Sequence, residues 1–213
     1  MKKVLSIILL LACVLTLTAC SDKAEEITSF VHGNLDSVLK NKHSEEYLQL
    51  TGEEISSPEA SYANGLASET KYFLSYADCE DVSEETYEDC SDMISILWKN
   101  TEYEVSEVIK NDDGYSVNIN IRPVANIKKA MSLDAAELVN ELEKEYGDKL
   151  YKMKDNELSE IYIDKIIEKV DCRNIVYEDE ISVNVKIHKE DGPVYSIDND
   201  DFINLYTNLI LYK

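Results

Sequence analysis

Basic residues, proline, glycine and histidine are all scarce in this sequence of 213 residues. Lys and Arg number 21 against 43 Asp and Glu, which gives a formal net charge of −22. Nucleic-acid-binding proteins neutralise phosphates with a basic surface, so that class is excluded. Three Pro and six Gly beside a hydrophobic fraction of 44% argue against a disordered acidic tail. The three His lack metal-ligand spacing to a Cys or to each other, so we expect neither a metal nor a cofactor.

The N-terminus carries the clearest functional signal. Lys2 and Lys3 precede a largely apolar stretch of 14 residues, from Val4 to Leu17. A permanent membrane helix needs about 20 residues to cross a hydrocarbon core of about 30 Å. The shorter stretch is typical of the apolar region of a secretory signal.

The end of this stretch, Leu17-Thr18-Ala19-Cys20, resembles the bacterial lipobox. The resemblance implies a diacylglycerol on the Cys20 thiol, cleavage before Cys20, and acylation of the new amine by a fatty acid such as palmitate. We therefore predict a signal peptide over 1–19, a lipidated cysteine with a short tether over 20–25, and a location at the extracytoplasmic face of the cell membrane. The alternative is an ordinary signal peptide with an accidental cysteine.

The predicted mature chain is even more acidic than the full sequence. Removal of Lys2 and Lys3 leaves 19 Lys and Arg against 43 Asp and Glu, a net charge of −24. An anionic bilayer repels such a body, so the lipid at Cys20 is the expected membrane contact. Solubility by itself explains the surplus of acidic residues. The alternative explanation is a binding site for cations or cationic peptides.

Hydrophobic periodicity predicts an α+β fold, rich in helices, with two similar halves. Each half has helices followed by an antiparallel hairpin, and we divide the chain into 26–124 and 125–213 within one compact unit. Ser44, Ser57, Ser83 and Asp198 are predicted to cap helices. The acids after Asp198 also admit a calcium interpretation, although the glycine and distant glutamate of a calcium loop are absent.

Period-two alternation marks a strand in each half, at residues 115–121 and 181–187. The polar positions of these strands define one wet sheet face or, alternatively, one side of a binding cleft. The weak candidates for ligand binding on this face are Asn118, Asn120, Arg122, Asn184, Lys186 and His188. Arg122 and His188 are predicted to lie at matching ends of the two strands.

Three cysteines remain after Cys20, namely Cys79, Cys90 and Cys172. A Cys79–Cys90 disulfide is permitted outside the membrane. If a turn centres near residue 81, Cys90 lies about 9 Å along the next helix, at 1.5 Å per residue. Since a disulfide needs Cα atoms within about 7 Å, buried free thiols are the favoured alternative.

Several segments resemble a known family. They are the lipobox, Gly-Asn-Leu-Asp at 33–36, Tyr-Glu-Val-Ser at 103–106, Asn-Asp-Asp-Gly-Tyr-Ser-Val at 111–117, the following Arg-Pro, and Asp-Gly-Pro-Val-Tyr-Ser-Ile-Asp at 191–198. Together they look like an uncharacterised family of Firmicutes surface lipoproteins, a domain of unknown function. Its late strands are similar to nuclear-transport-factor-two-like folds. The resemblance implies no catalytic residues.

Motifs of catalysis are otherwise missing from the sequence. A phosphate loop, a zinc helix and a nucleophile elbow are absent, and two Ser-x-x-Lys matches, at Ser37 and Ser68, are expected by chance. We therefore predict a lipoprotein that binds a small ligand or a protein partner and is not an enzyme. The alternatives are an envelope enzyme that uses cleft carboxylates and a structural or assembly lipoprotein.

Overall fold

The structure, a computed structural model, describes residues 23–132, 135–192 and 194–213, without the side chains of 135–137. It is an α+β fold of helices around one four-stranded antiparallel sheet, as the sequence predicts. The helices are α1 (23–40), α2 (Glu45–Thr51), α3 (Ser56–Tyr76), α4 (Glu84–Lys99), α5 (Asn126–Met131), α6 (Ala135–Tyr146), a 3-10 turn (Gly147–Lys152), α7 (Asp155–Val170) and α8 (Asn199–Thr207). The strands are β1 (Glu102–Asn111), β2 (Gly114–Arg122), β3 (Ile181–Lys189) and β4 (Tyr195–Ile197).

One sheet joins the two similar segments of the sequence. Its order is β1-β2-β3-β4, so each segment supplies a hairpin and the two hairpins meet where β2 pairs with β3. Val117, Ile119 and Ile121 point to the buried face and are fully covered. The apolar alternation of β2 and β3 therefore packs against helices on one side, while the polar positions face outward.

The β1–β2 turn depends on Gly114. Asn111 pairs with Gly114, so only Asp112 and Asp113 lie in the loop. Gly114 has a φ of +148°, and a Cβ there would lie 2.1 Å from the carbonyl oxygen of Ile187 on β3. Only glycine fits at this close approach of two strands.

Helix α1 supplies one wall of the core through Ile27, Phe30, Val31, Leu35 and Leu39, all at most 1% exposed. These residues recur at helical spacing, and Val38, which shares that spacing, is half-buried. Gly33 on the same helix lets α2 come close, since a Cβ there would lie 2.6 Å from Cβ of Tyr47.

Most of the predicted helix starts are confirmed. The side chains of Ser44, Ser83 and Asp198 accept hydrogen bonds from backbone amides of α2, α4 and α8. The cap predicted at Ser57 is wrong, because α3 already begins at Ser56 and Ile55 precedes it in a helical conformation. Pro58 is instead buried within the first turn of α3.

The apolar positions that follow Ala125 belong to two separate helices. Asn126–Met131 forms α5, and Ala135–Tyr146 forms α6. Leu138, Leu142 and Leu150 form a small second cluster beside the main core, whereas Val139 on α6 is 49% exposed.

Asn126 holds this region together from a buried position, with 3% exposure. Its Nδ2 donates to the carbonyl oxygens of Val170, Asp171 and Asn174, at 2.7, 3.3 and 3.1 Å. Its Oδ1 accepts from the amide of Val176 at 2.8 Å. One side chain thus satisfies backbone groups that the end of α7 leaves unpaired.

Candidate functional site

A small cavity lined mostly by aromatic rings lies at one end of the sheet; we call it the aromatic pocket. Its volume is about 220 Å³. The lining residues are Glu69, Tyr72, Trp98, Tyr206, Thr207, Ile210 and Tyr212. They come from α3, the last turn of α4, the last turn of α8 and the C-terminal segment, so the pocket exists only where these four pieces meet.

The C-terminal segment is fixed by pairing with the chain just after β2. The amide of Val124 donates to Leu209 at 2.8 Å, and the amide of Leu211 donates back to Val124 at 2.9 Å. This bridge places Ile210 and Tyr212 beside the end of β2. Trp98, 1% exposed, lies there too because α4 ends shortly before β1 begins.

A carboxylate and two phenols form the polar side of the pocket. The hydroxyl of Tyr206 donates to Oε2 of Glu69 at 3.0 Å, and that of Tyr212 donates to Oε1 at 2.5 Å. Burial, together with the charge of Glu69, raises the pKa of both tyrosines well above the usual value of 10.0. Both phenols therefore remain protonated donors at neutral pH.

Glu69 carries a charge that the described chain does not neutralise. The ion pairs among the described residues do not include it. Its hydrogen-bond partners are the neutral hydroxyls of Tyr206 and Tyr212.

A larger and more open groove lies between α1, α2 and β4, with a volume of about 400 Å³. Aromatic rings and polar groups alternate around it, including Glu53, Glu190 and Ser196. Oδ1 of Asn34 is buried there without a hydrogen-bond partner. The Nδ2 of the same amide lies 3.5 Å from the hydroxyl of Tyr47, at the limit of a hydrogen bond.

The outer face of the sheet holds the six residues that the sequence nominated for a cleft. At its centre Asn118 and Asn184 are register partners, and Nδ2 of Asn184 donates to Oδ1 of Asn118 at 2.6 Å. Asn120 accepts from Ser106 at 3.4 Å. The amide side chains are therefore engaged with their neighbours across the strands, as on an ordinary wet sheet face.

The structure separates Arg122 from His188. Arg122 pairs with Glu102 at one end of the sheet, and His188 pairs with Gly114 at the other. Gly114 and Arg122 are eight positions apart on β2, which is roughly 26 Å. The matching ends that the sequence suggested are opposite ends, because β3 runs antiparallel to β2.

Arg122 and His188 on this face have side-chain partners within the chain, and Lys186 is held through its backbone. The guanidinium of Arg122 lies 2.8 Å from Glu102 and 4.6 Å from the ring centre of Tyr177. His188 lies 3.7 Å from Asp198. The backbone amide of Lys186, which is the register partner of Ser116, donates to Asp201 at 2.9 Å.

A serine, a histidine and an asparagine form a chain of contacts at the end of α1. Oγ of Ser37 lies 3.0 Å from Nδ1 of His43, whose Nε2 lies 2.9 Å from Oδ1 of Asn41. The order is that of a nucleophile, a base and an orienting group. Ser37 is only 1% exposed and does not line the cavities described above, so a substrate cannot reach it.

Cys79, Cys90 and Cys172 are free thiols, and the Cys79–Cys90 disulfide is not formed in the structure. Burial raises the pKa of Cys90 to about 12, so its reactive thiolate is scarce. Within the described ranges, His, Cys, Asp and Glu nowhere form a group of three that could hold a metal ion. No helix in those ranges is both long and apolar enough to cross a membrane.

Sequence reasoning missed the aromatic pocket. The residue pattern singled out none of Glu69, Tyr206 and Tyr212 as a candidate for ligand binding. The available signal was the composition, because the sequence has 14 Tyr. A tyrosine can bury its ring among apolar groups while its hydroxyl keeps a polar partner. Spacing along the chain could not show it, because Glu69 and Tyr212 are 143 residues apart.

No protein-family model matches the chain, and no curated protein matches it. Among solved structures, the crystal structure of a candidate lipoprotein (ycdA) from Bacillus subtilis subsp. subtilis str. 168 has a similar fold, with a TM-score of 0.62 and 18% sequence identity. The likeness covers 92% of this chain and 59% of that chain, so this chain spans little more than half of its neighbour's length. At this identity the comparison shows a shared fold. The nuclear-transport-factor-two likeness and the Firmicutes family stay predictions.

Proposed function

We propose that this chain is a lipid-anchored extracytoplasmic protein that binds a small ligand in the aromatic pocket and does not catalyse a reaction. The lipobox-like Leu17-Thr18-Ala19-Cys20 carries the anchoring part, and these residues lie outside the described ranges. The aromatic pocket carries the binding part. Likeness in fold to a candidate lipoprotein supports the proposal without deciding it.

The anchor and the pocket belong to opposite ends of the protein in this proposal. Lys23 is already helical, so the chain from Cys20 reaches at most about 11 Å. The start of α1 lies beside β4, where the hydroxyl of Tyr195 donates to Glu26 at 2.6 Å. From there α1 runs about 27 Å along the sheet, at 1.5 Å per residue. Near its end Asp36 accepts from Tyr103, at the end of the sheet that holds the pocket.

Two observations favour binding over catalysis. The serine of the Ser37–His43–Asn41 contacts is buried away from the cavities. The carboxyl of Asp164 has a pKa raised by burial and by surrounding carboxylates, as a general acid requires. However, Asp164 lies on an exposed face of α7 and does not line the cavities described above.

Fatty-acid labelling in a bacterial host tests the anchor. Cys20→Ala should abolish incorporation of a labelled fatty acid and release the protein from the membrane fraction. Cys13→Ala, within the segment predicted to be removed, is the matched control and should keep both. Labelling that survives in Cys20→Ala overturns the anchoring proposal.

Thermal unfolding of the full chain in a non-ionic detergent tests the pocket, against a panel of metal ions, wall fragments, peptides and lipids. A ligand at 100 times its Kd should stabilise the fold by roughly 2.7 kcal/mol. Thr207→Trp should fill the pocket and remove this shift. Asn204→Trp, at an exposed position of α8 outside the pocket, should keep it. If Thr207→Trp leaves the shift unchanged, the binding site lies elsewhere. If no compound of the panel shifts the unfolding midpoint and crosslinking captures a protein partner, ligand binding is overturned in favour of an assembly role.

A further inference from the structure

We propose that the aromatic pocket takes a quaternary ammonium cation or a similarly methylated amine. This inference rests on the proposed function, because it names the ligand class of the same site. It follows from the ring arrangement, the charge, the hydrogen-bond inventory and the size of the pocket.

The rings of the pocket stand at steep angles to each other. Those of Trp98 and Tyr206 are 5.8 Å apart at 77°, and those of Tyr72 and Tyr212 are 5.0 Å apart at 83°. These edge-to-face contacts join the four rings in pairs at the wall of the pocket, and Tyr72, 54% exposed, is the ring most open to a ligand. A cation within about 6 Å of a ring face is attracted by the negative face of the π-system, most strongly by Trp.

The charge of the pocket selects a cation over an anion. Glu69 is the acidic residue of its lining, and it has no ion-pair partner among the described residues. The net charge of −22 also attracts cations toward the protein. In the described part of the chain, the cations that lie over rings are Lys40 over Tyr103 and Arg122 over Tyr177, both outside this pocket.

The hydrogen-bond inventory favours a methylated cation over a primary amine. A primary ammonium has three N–H donors that each need an acceptor. Each oxygen of Glu69 already accepts one hydrogen bond from a tyrosine, and the Thr207 hydroxyl donates to the carbonyl oxygen of Ile203 at 3.0 Å, so the acceptors of this pocket are few and partly occupied. A quaternary ammonium needs no acceptor and places methyl groups against the rings.

Size gives a further limit. At about 220 Å³ the pocket is smaller than the roughly 300–1,000 Å³ of sites for drug-sized ligands. It therefore fits a compact cation, or the charged end of a longer molecule.

Tryptophan fluorescence tests this proposal directly, because Trp98 lines the pocket and is the sequence's single Trp. Choline chloride is titrated into the full chain in a maltoside detergent, which has no ammonium headgroup. The neutral isostere 3,3-dimethyl-1-butanol and sodium chloride are titrated in parallel. We expect a saturable change with choline, at least about tenfold weaker binding of the neutral isostere, and no saturable change with sodium chloride.

Matched variants connect the signal to the site. Glu69→Gln should weaken choline binding by about tenfold or more, whereas Glu59→Gln, exposed on the same helix, should not. Tyr72→Leu removes a ring that is 54% exposed, so it should weaken binding with little effect on folding. If Glu69→Gln proves unstable, Tyr72→Leu alone decides whether the choline signal comes from this pocket.

Three results would overturn it. Equal binding of choline and its neutral isostere would show that the pocket selects apolar groups and not positive charge. Choline binding that Glu69→Gln and Tyr72→Leu leave unchanged would show that the cation binds elsewhere. No response to choline would exclude the ammonium class. The fatty-acid labelling of Cys20 and the ligand panel with Thr207→Trp do not depend on the choline result. Those two tests therefore decide the proposed function independently of this inference.

Discussion

The phenol of Tyr212 donates a 2.5 Å hydrogen bond to Glu69, which joins the end of the chain to the middle of α3. Tyr212 is 9% exposed. Tyr212→Phe keeps the ring and removes this bond, so the free energy of unfolding should fall by about 1.5–3 kcal/mol, as for hydrogen bonds to charged groups. Urea denaturation measures the change.

Tyr76→Phe is the control for this measurement. Its ring packs edge-on against Tyr212 at 5.3 Å, but it is 38% exposed and its hydroxyl does not contact Glu69. Its effect should stay within about 0.5 kcal/mol. Equal losses in the two variants would mean that ring contacts, rather than the bond to Glu69, fix the C-terminal segment.

Two helical glycines should respond to alanine with opposite signs. At Gly33 the new methyl would lie 2.6 Å from Cβ of Tyr47, so α1 and α2 must move apart, at a cost of about 1–3 kcal/mol. At Gly65 it would lie 3.6 Å from the ring of Trp98, an ordinary contact, and higher helix propensity should stabilise the fold by about 0.5–1 kcal/mol. Thermal unfolding of both variants measures this, and a stabilised Gly33→Ala would contradict the close helix contact.

Asn126→Ala should be among the most damaging polar substitutions. It removes the donors to Val170 and Asn174 and the acceptor for Val176, leaving buried backbone groups unpaired. We expect a loss of about 2–4 kcal/mol in the free energy of unfolding, seen by urea denaturation. Asn208→Ala is the matched control, because that amide only bonds within its own helix terminus, to the carbonyl of Asn204 at 2.7 Å. A loss no larger than the control's would show that water replaces the Asn126 contacts.

Asp164 should make stability depend on pH in an unusual direction. Burial, then the nearby Asp89 and Glu160, raise its pKa above 3.8, so its ionised form costs free energy in the folded state at neutral pH. Asp164→Asn should therefore stabilise the protein at pH 7. The gain should shrink as pH falls through the raised pKa, and should vanish below the unfolded-state value. Because Asp164 is exposed, we expect a few tenths of a kcal/mol.

Urea denaturation at pH 7 and at pH 3 measures this difference. Asp112→Asn, in the exposed β1–β2 turn, serves as the control and should show no such dependence. Added salt should reduce the gain at pH 7 by screening the acidic neighbours. A gain of the same size at both pH values would refute the electrostatic origin.

Local rules predicted much of the fold. Ser44, Ser83 and Asp198 cap helices as expected, because a cap depends on a side chain and the next few amides. The strands around Val117 and Val185 followed from alternation, since side chains point to opposite faces in turn. The prediction of the start of α3 was wrong. Ser57-Pro58-Glu59 fits a helix start with Ser57 as the cap, but the helix already begins one residue earlier, at Ser56.

Long-range relationships escaped prediction for a common reason. Alternation shows which face a residue occupies but not the direction of the partner strand, so the separation of Arg122 and His188 needed the observed register. The break between α5 and α6 likewise falls between Met131 and Leu138, two apolar residues whose spacing would suit one continuous helix.

The sequence by itself determined the helical and strand segments, the acidic charge and the lipobox pattern at Cys20, since each depends on neighbouring residues or on composition. Only the tertiary structure decided that Glu69, Trp98, Tyr206 and Tyr212 surround one pocket. These residues lie on four segments that no local rule connects. They meet because the bridge between Val124 and Ile210 returns the end of the chain to the end of the sheet where α4 places Trp98.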